Sequence, residues 1–223
     1  MGGIAKEPGG RPHHVTVGAV LLAAGAASRM GYRPKSLLTL DGVPLIRRQL
    51  GALTGAGVDE VVVVLGHHAD PIEAAILGLA GTRVRNPDPD AGHIASLHCG
   101  LLALPARVDV VLVALADQPL IQAQDIRDLI RAYNQRPAGT QVVQPMVAGL
   151  PGNPVLFSAD VRNQILAGGV QMGCRQWQLA HPEQVHAWAT ENTAYRTDVD
   201  TPEDIEALAL RTGHRLKWPA EGA

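Results

Sequence analysis

The chain is poor in aromatic rings, with one Phe, three Trp and three Tyr, or 3% of 223 residues. That scarcity argues against recognition of single-stranded nucleic acid by base stacking. Hydrophobic residues still make up 46%, so the core must be built from Val, Leu, Ile and Ala. Positive charge is not in excess either. Nineteen Lys and Arg stand against 21 Asp and Glu, a formal net charge of −2, so the basic footprint of a nucleic-acid-binding surface is missing. No run approaches the ~18 apolar residues that span a membrane. The two cysteines, Cys99 and Cys174, are too far apart in sequence for a metal-type pair. They are expected to be reduced thiols in a cytoplasmic protein. Neither a GxxxxGK[ST] phosphate loop nor a GxGxxG fingerprint occurs, which argues against a P-loop kinase and a typical dinucleotide oxidoreductase. Residues 1–14, MGGIAKEPGGRPHH, lack the apolar stretch of a signal peptide. They are expected to be a disordered tail, with His13 and His14 as tail residues, ahead of one domain over 15–223.

What is present is an alternation of strand and helix patterns. Strands are expected over 15–23, 61–65, 82–86, 108–115, 141–147, 154–157 and 185–189, where apolar and β-branched residues run together. Helices are expected over 44–54, 70–79, 94–104, 123–135, 159–167, 173–180 and 201–212. A Val/Leu/Ile/Ala core and this alternation predict a single three-layer α/β/α domain with a mainly parallel sheet and right-handed crossovers. Ligands of such sheets bind outside the carboxyl ends of the strands.

The segment LLAAGAASRMGYRPK, Leu21 to Lys35, directly follows the first strand. Gly25 and the small Ala23, Ala24, Ala26 and Ala27 let backbone approach a ligand closely. Free N–H groups in such a turn form an anion-binding concavity. Ser28 adds a hydroxyl, and Arg29 and Lys35 add cations that reach a triphosphate and stabilise charge developing on phosphorus. A surface turn with solvated cations is the alternative.

Two acidic segments follow. ALADQPLI, Ala114 to Ile121, puts Asp117 just past an apolar strand, with Pro119 fixing the turn. There it either binds a hard cation such as Mg²⁺ or caps a helix beginning near Gln122. In TDVDTPEDIEAL, Thr197 to Leu208, the run Thr201-Pro202-Glu203-Asp204 is explained as a helix start. Asp200 is explained less well by that reading. Asp198 and Asp200 are expected to point to opposite faces of an extended segment. His67, His68, His93 and His98 lack metal-ligand spacing and are expected to be surface or pocket-edge residues.

LAAGAASRMG followed by Pro34-Lys35, and then SLLTLDGVPLIRRQL over Ser36 to Leu50, resembles the MobA-like nucleotidyltransferases. The resemblance continues across nearly the whole chain after the tail. It implies a Rossmann-like fold of the nucleotide-diphospho-sugar transferase, or GT-A-like, type. It also implies nucleotide binding by Leu22, Ala23, Ala24, Gly25, Ser28, Arg29 and Lys35, with Arg29, Lys35 and Asp117 as the catalytic set. A Mg²⁺ ion would be held by Asp117 and by Asp200, the acid just before Thr-Pro-Glu-Asp, with Asp198 as fallback.

Within the family, the sequence is most similar to the molybdenum cofactor cytidylyltransferases. Ala24 stands where the GTP-using branch has a second glycine. NPDPDAGHIASLHCGL, Asn86 to Leu101, resembles that branch's Asn-Pro…Gly-x-x-x-Ser-Leu-x-x-Gly-Leu element. By this likeness Gly92 and Ser96 sit near the base or ribose, Ser96 having a helix-start or packing role as its alternative. GLPGNPVLF, Gly149 to Phe157, resembles an element of the acceptor pocket, with Asn153 where the family has His. Arg175 is retained from a Gly-Asp-x-Gly-Ala-Arg element whose Asp is Gln171 here, and it is expected to pair with the acceptor's phosphate. The resemblance implies CMP transfer from CTP to a phosphorylated acceptor of molybdopterin type, with a molybdoenzyme as recipient of the product. The alternatives are guanylyl transfer, a sugar or polyol phosphate acceptor, a non-catalytic cofactor-binding or insertion chaperone, and an oxidoreductase. A binding-only protein has no reason to keep both carboxylates.

Overall fold

The structure is a computed structural model that describes residues 15–219; the expected tail over 1–14 lies outside the described residues. In chain order the first half contains Val17–Ala23 (β1), Thr39–Leu40 (β2), Val43–Pro44 (β3), Leu45–Gly55 (α1), Glu60–Leu65 (β4), Ala69–Ala75 (α2), Thr82–Arg85 (β5) and His93–Ala103 (α3). The second half contains Val110–Leu115 (β6), Ala123–Asn134 (α4), Val142–Val147 (β7), Leu150–Pro151 (β8), Val155–Ser158 (β9), Ala159–Ala167 (α5), Cys174–Ala180 (α6), Val185–Ala189 (β10) and Pro202–Thr212 (α7). Every expected strand and helix is present, with ends shifted by a few residues at most places. The β2–β3 hairpin and β8 were not foreseen, because two-residue strands are too short to show a period.

The main sheet has the order β10-β7-β9-β6-β1-β4-β5, with β8 pairing β7. β1 runs parallel to both β4 and β6, and β4 to β5. β9 runs antiparallel between β6 and β7, so the sheet is mixed but mainly parallel. β1 is buried along its whole length. Val17, Ala19, Leu21 and Ala23 enter the core on one face, and Val20 and Leu22 the core on the other, as strand alternation requires. The first face packs Ile46, Leu50 and Leu53 of α1, Ile72 of α2, and Ile126 and Leu129 of α4. The second packs Leu97 and Leu101 of α3, Val161 and Ile165 of α5, and Trp177 of α6. Burial on both faces is why β1 and β6 are continuous apolar runs.

A third, smaller cluster joins Met30, Leu38, Leu40, Leu45, Val199, Leu208 and Leu216. It packs the segment after β1 against the segment before α7, two stretches some 170 positions apart in the chain on the scale of the 171-residue separation of Arg29 and Asp200. A C-terminal segment closes over it, with Thr39 and Lys217 exchanging backbone hydrogen bonds of 2.7 and 3.0 Å.

Gly100 lets α3 lie directly on the sheet. A Cβ there would meet Val20 Cγ1 at 2.4 Å and Val64 Cγ2 at 2.7 Å. Gly100→Ala is therefore expected to destabilise the protein by about 1–3 kcal/mol through overpacking. Urea unfolding would show this as a lower midpoint at unchanged slope.

Candidate active site

The register of the central strands brings three loops together. Ala23 lies opposite Leu65, and Leu22 opposite Leu115. The chain therefore leaves β1, β4 and β6 at one level, at the carboxyl edge of the sheet. Ala116 N–H still donates to Leu22 O at 3.1 Å, and Asp117 is the next residue. Val199 N–H donates to Asp117 O at 3.1 Å, which places Asp200 alongside.

Lys35 joins the two acids. Its Nζ lies 2.6 Å from Asp117 Oδ2 and 2.6 Å from Asp200 Oδ1. Twice that distance is the upper limit on the separation of the two oxygens, close enough to share one cation. Arg29 Nη2 donates to Asp200 Oδ2 at 2.8 Å. The Arg29 side chain is 66% exposed, against 17% for Lys35, so water screens the first pair far more than the second. Burial pulls the pKa of Lys35 down, but the charges and hydrogen bonds of Asp117 and Asp200 outweigh it and leave it above its ordinary value. Lys35 is thus a firm cation at neutral pH. Burial likewise pushes the Asp200 carboxyl up, and the Lys35 and Arg29 contacts together hold it below the usual carboxylate range.

The other oxygen of Asp117, Oδ1, is buried and has no hydrogen-bond partner. A buried carboxylate oxygen without a partner is costly, and it is the kind of ligand a hard cation takes. Among the described residues no three His, Cys, Asp or Glu side chains are arranged to hold a metal by themselves. The donor set therefore fits an ion that takes two protein carboxylates and completes its shell with water and phosphate oxygens, the usual habit of Mg²⁺. Asp117 does not cap the next helix. The N-cap of α4 is Gln122, in a capping box with Asp125. Thr201 caps α7 in a box with Asp204, as the sequence predicts.

A cavity of about 500 Å³ opens over these groups. Leu22, Ala23, Ala24, Gly25 and Lys35 form one side of its wall, and Gly92, Ser96, Asp117 and Asp200 complete the expected set that lines it. Ser96 is buried; its Oγ accepts from Asn86 Nδ2 at 3.0 Å and lies 3.5 Å from Gly92 O. Ser28 and Arg29 are outside the wall, Arg29 reaching it only through Asp200. Asn153 is also outside. Its backbone is engaged instead, the N–H donating to Tyr195 O at 2.7 Å and the carbonyl accepting from Gln118 Nε2 at 3.2 Å. Arg175 is exposed on α6 and does not line the cavity.

One expectation is corrected. Asp198 and Asp200 do not face opposite ways; both line the cavity, while Val199 between them is fully buried in the third cluster. Residues two apart share a face in extended backbone. His67 and His93, expected at the surface or the pocket edge, line the same cavity, and so does Asp90, which no sequence pattern singles out. The cysteines carry no chemistry here. Both are free, and burial pushes the Cys99 thiol up and that of Cys174 up to about 12.

His67 Nε2 lies 2.7 Å from Asp90 Oδ1 across the cavity mouth. Its hydrogen bonds to Asp90 and to the Ala24 carbonyl hold its pKa above the ordinary value. A raised folded-state pKa adds stability that is fully present below the unfolded value of ~6.5 and is lost as pH rises through the folded value. The difference in urea midpoint between the native protein and His67→Gln is therefore expected to shrink as pH is raised from about 6 through that range. A gap that widens with pH would reverse this sign.

The protein-family comparison matches residues 19–185 to the MobA-like NTP transferase domain. The bifunctional protein GlmU of Bordetella petrii is 34% identical over 148 residues, which is 65% of this chain and 31% of that protein. The chain thus spans about a third of the length of that curated relative. Among solved structures, a nucleotidyl transferase from Methanothermobacter thermautotrophicus, Mth528, superposes with a TM-score of 0.72 at 28% identity, over 88% of this chain and 99% of that one. Rv0371c of Mycobacterium tuberculosis, solved as a complex with manganese, gives 0.67 at 26% identity, over 86% and 97%. With most of its length matched by the family's own pattern, and with that fold, this chain belongs to the MobA-like NTP transferase domain family.

Proposed function

We propose that this chain is a Mg²⁺-dependent nucleotidyltransferase that moves CMP from CTP to a phosphorylated acceptor, a molybdopterin-type cofactor, and releases pyrophosphate. The observation that carries the reading is Lys35 Nζ held at 2.6 Å from both Asp117 and Asp200, over a cavity walled by a loop of small residues. The pair of carboxylates supplies the ion's protein ligands, Asp117 contributing its unpartnered Oδ1. When bound, Mg²⁺ polarises the α-phosphorus and offsets charge on the leaving pyrophosphate. Lys35 gives up its carboxylates and pairs with a phosphate oxygen. Backbone N–H groups of the loop after β1 orient the triphosphate, and Arg29 adds positive charge from the rim.

An acceptor phosphate oxygen attacks the α-phosphorus in line. The bond from that phosphorus to the bridging oxygen breaks, and its electron pair leaves with pyrophosphate. No covalent protein intermediate is needed, because positioning and charge carry such transfers. Ala24 presents a methyl where GTP-using relatives have glycine, which favours a pyrimidine in the same cavity. Gly92 and Ser96 form the wall assigned to base or ribose.

A pyrophosphate-release screen of four NTPs with Mg²⁺ and a small acceptor panel tests this, CTP being expected to give the highest rate. CTP is also expected to stabilise the protein to heat more than GTP. Ligand at about 100 times its Kd adds ~2.7 kcal/mol, or roughly 5–10 °C for a chain of this size. A larger shift with GTP would assign the guanylyl reaction. Asn153 and Arg175 lying outside the cavity wall favours a second reading of the acceptor, a sugar or polyol phosphate, which the same panel separates.

A further inference from the structure

The loop that follows β4 grips the loop that follows β1. Gly66 makes the approach possible: a Cβ there would lie 2.4 Å from Ala24 O and 2.8 Å from Ala24 Cβ. The next two residues are histidines, and each reaches a carbonyl of the first loop. His67 Nδ1 lies 3.2 Å from Ala24 O, and His68 Nε2 lies 3.2 Å from Ala26 O. A carbonyl oxygen only accepts, so each of these ring nitrogens donates. His67 also meets Asp90 Oδ1 at 2.7 Å through Nε2. With the carboxylate ionised, both of its partners accept, so these contacts favour a ring protonated on both nitrogens that spans two walls of the cavity.

These contacts fix the direction of two peptide planes. Both peptides are trans. In a trans peptide the carbonyl and the N–H of the following residue point opposite ways. Drawing the Ala24 and Ala26 carbonyls toward the histidines turns the N–H groups of Gly25 and Ala27 away from them. Gly25, Ala26 and Ala27 line the cavity, and among the described residues no acceptor is found for any of their N–H groups. Ala27 is held at φ 53°, a conformation L residues seldom adopt, which continues the curl of the loop.

We propose that His67 and His68 are positioning residues that set the anion cradle: by holding two carbonyls outward they aim the Gly25 and Ala27 N–H groups at the triphosphate. This rests on the nucleotidyl-transfer reading above. The histidines themselves touch no reacting atom, so their effect falls on triphosphate affinity rather than on the chemical step.

The test uses the full chain with Mg²⁺ and inorganic tripolyphosphate as probe, followed by calorimetry and by the amide NMR shifts of Gly25 and Ala27. The variants are His67→Ala/His68→Ala, His68→Ala alone, His67→Asn and His68→Gln. The Asn and Gln side chains place an N–H near the lost Nδ1 and Nε2 respectively. The double alanine variant is expected to weaken tripolyphosphate roughly tenfold or more, since both hydrogen bonds that hold the two carbonyls are lost. His68→Ala alone is expected to weaken it by about threefold or more. KM for the nucleotide should rise with kcat little changed, and the Asn and Gln variants should recover most of the affinity and the native amide shifts. Native affinity in a folded alanine variant would overturn the proposal. So would Asn and Gln variants as weak as the alanine ones, which would mark the histidines as mere packing. If the native protein binds neither tripolyphosphate nor any NTP, the nucleotide reading itself falls, and the cradle with it.

Discussion

Asp117→Asn is expected to cut Mg²⁺-dependent pyrophosphate release by about 10²–10³-fold or more, the scale on which one preorganised charge-stabilising group acts. Asparagine keeps the size and removes the charge. The fold should tolerate the change, because Asp117 caps no helix, α4 being capped by Gln122 and Asp125. Lys35 also retains a partner, since Asp200 Oδ1 still lies within 2.6 Å of its Nζ. Thermal melting followed by circular dichroism therefore separates loss of turnover from loss of structure. Undiminished release by a folded Asp117→Asn protein would remove the carboxylate pair from the mechanism.

Lys35→Met is expected to act in two directions. Turnover with nucleotide should fall by about 10²-fold or more, because the variant lacks the cation that meets developing phosphate charge. Metal binding without nucleotide should tighten. In the native protein the ammonium lies 2.6 Å from each carboxylate, so on the proposed reading it sits in the shared ion's place and an incoming metal has to displace it. Methionine has similar length and no charge, so it leaves two facing carboxylates without a counterion. Such a pair repels. The variant should therefore melt lower than the native protein without metal, and Mg²⁺ should raise its Tm by more than it raises that of the native protein. Equal Mg²⁺ shifts in the two proteins would show that Lys35 does not occupy the cation's place.

The sequence carried most of the fold because the determining signals are local. Valines at 61–64 mark β4 as a strand buried on both faces, and β10 was read at its observed bounds, 185–189. The capping box of Thr201 and Asp204 fixes the start of α7 from four consecutive residues. The candidate site was legible where it follows a strand: that Gly25 after β1 and Asp117 after β6 line one cavity needs only the rule that ligands sit at carboxyl ends. What remained hidden depends on register between distant strands. That Ala24 faces Gly66-His67-His68 follows from Ala23 lying opposite Leu65, a pairing that no local pattern in either segment reveals. The acceptor-side assignments of Asn153 and Arg175 rested on resemblance alone, and neither residue lines the cavity. The misreading of Asp198 was geometric, since Val199, not Asp198, takes the opposite face.

The central claim is that Asp117 and Asp200 share one divalent ion beside a bound triphosphate. Electron paramagnetic resonance of Mn²⁺ titrated into the CTP-saturated protein tests it directly, using the native chain, Asp117→Asn and Asp200→Asn. The account predicts a protein-bound Mn²⁺ signal in the native chain that either substitution alone weakens by about tenfold or more, the order of a lost charged contact of ~1.5–3 kcal/mol. Mn²⁺ bound by either variant as tightly as by the native protein would contradict it.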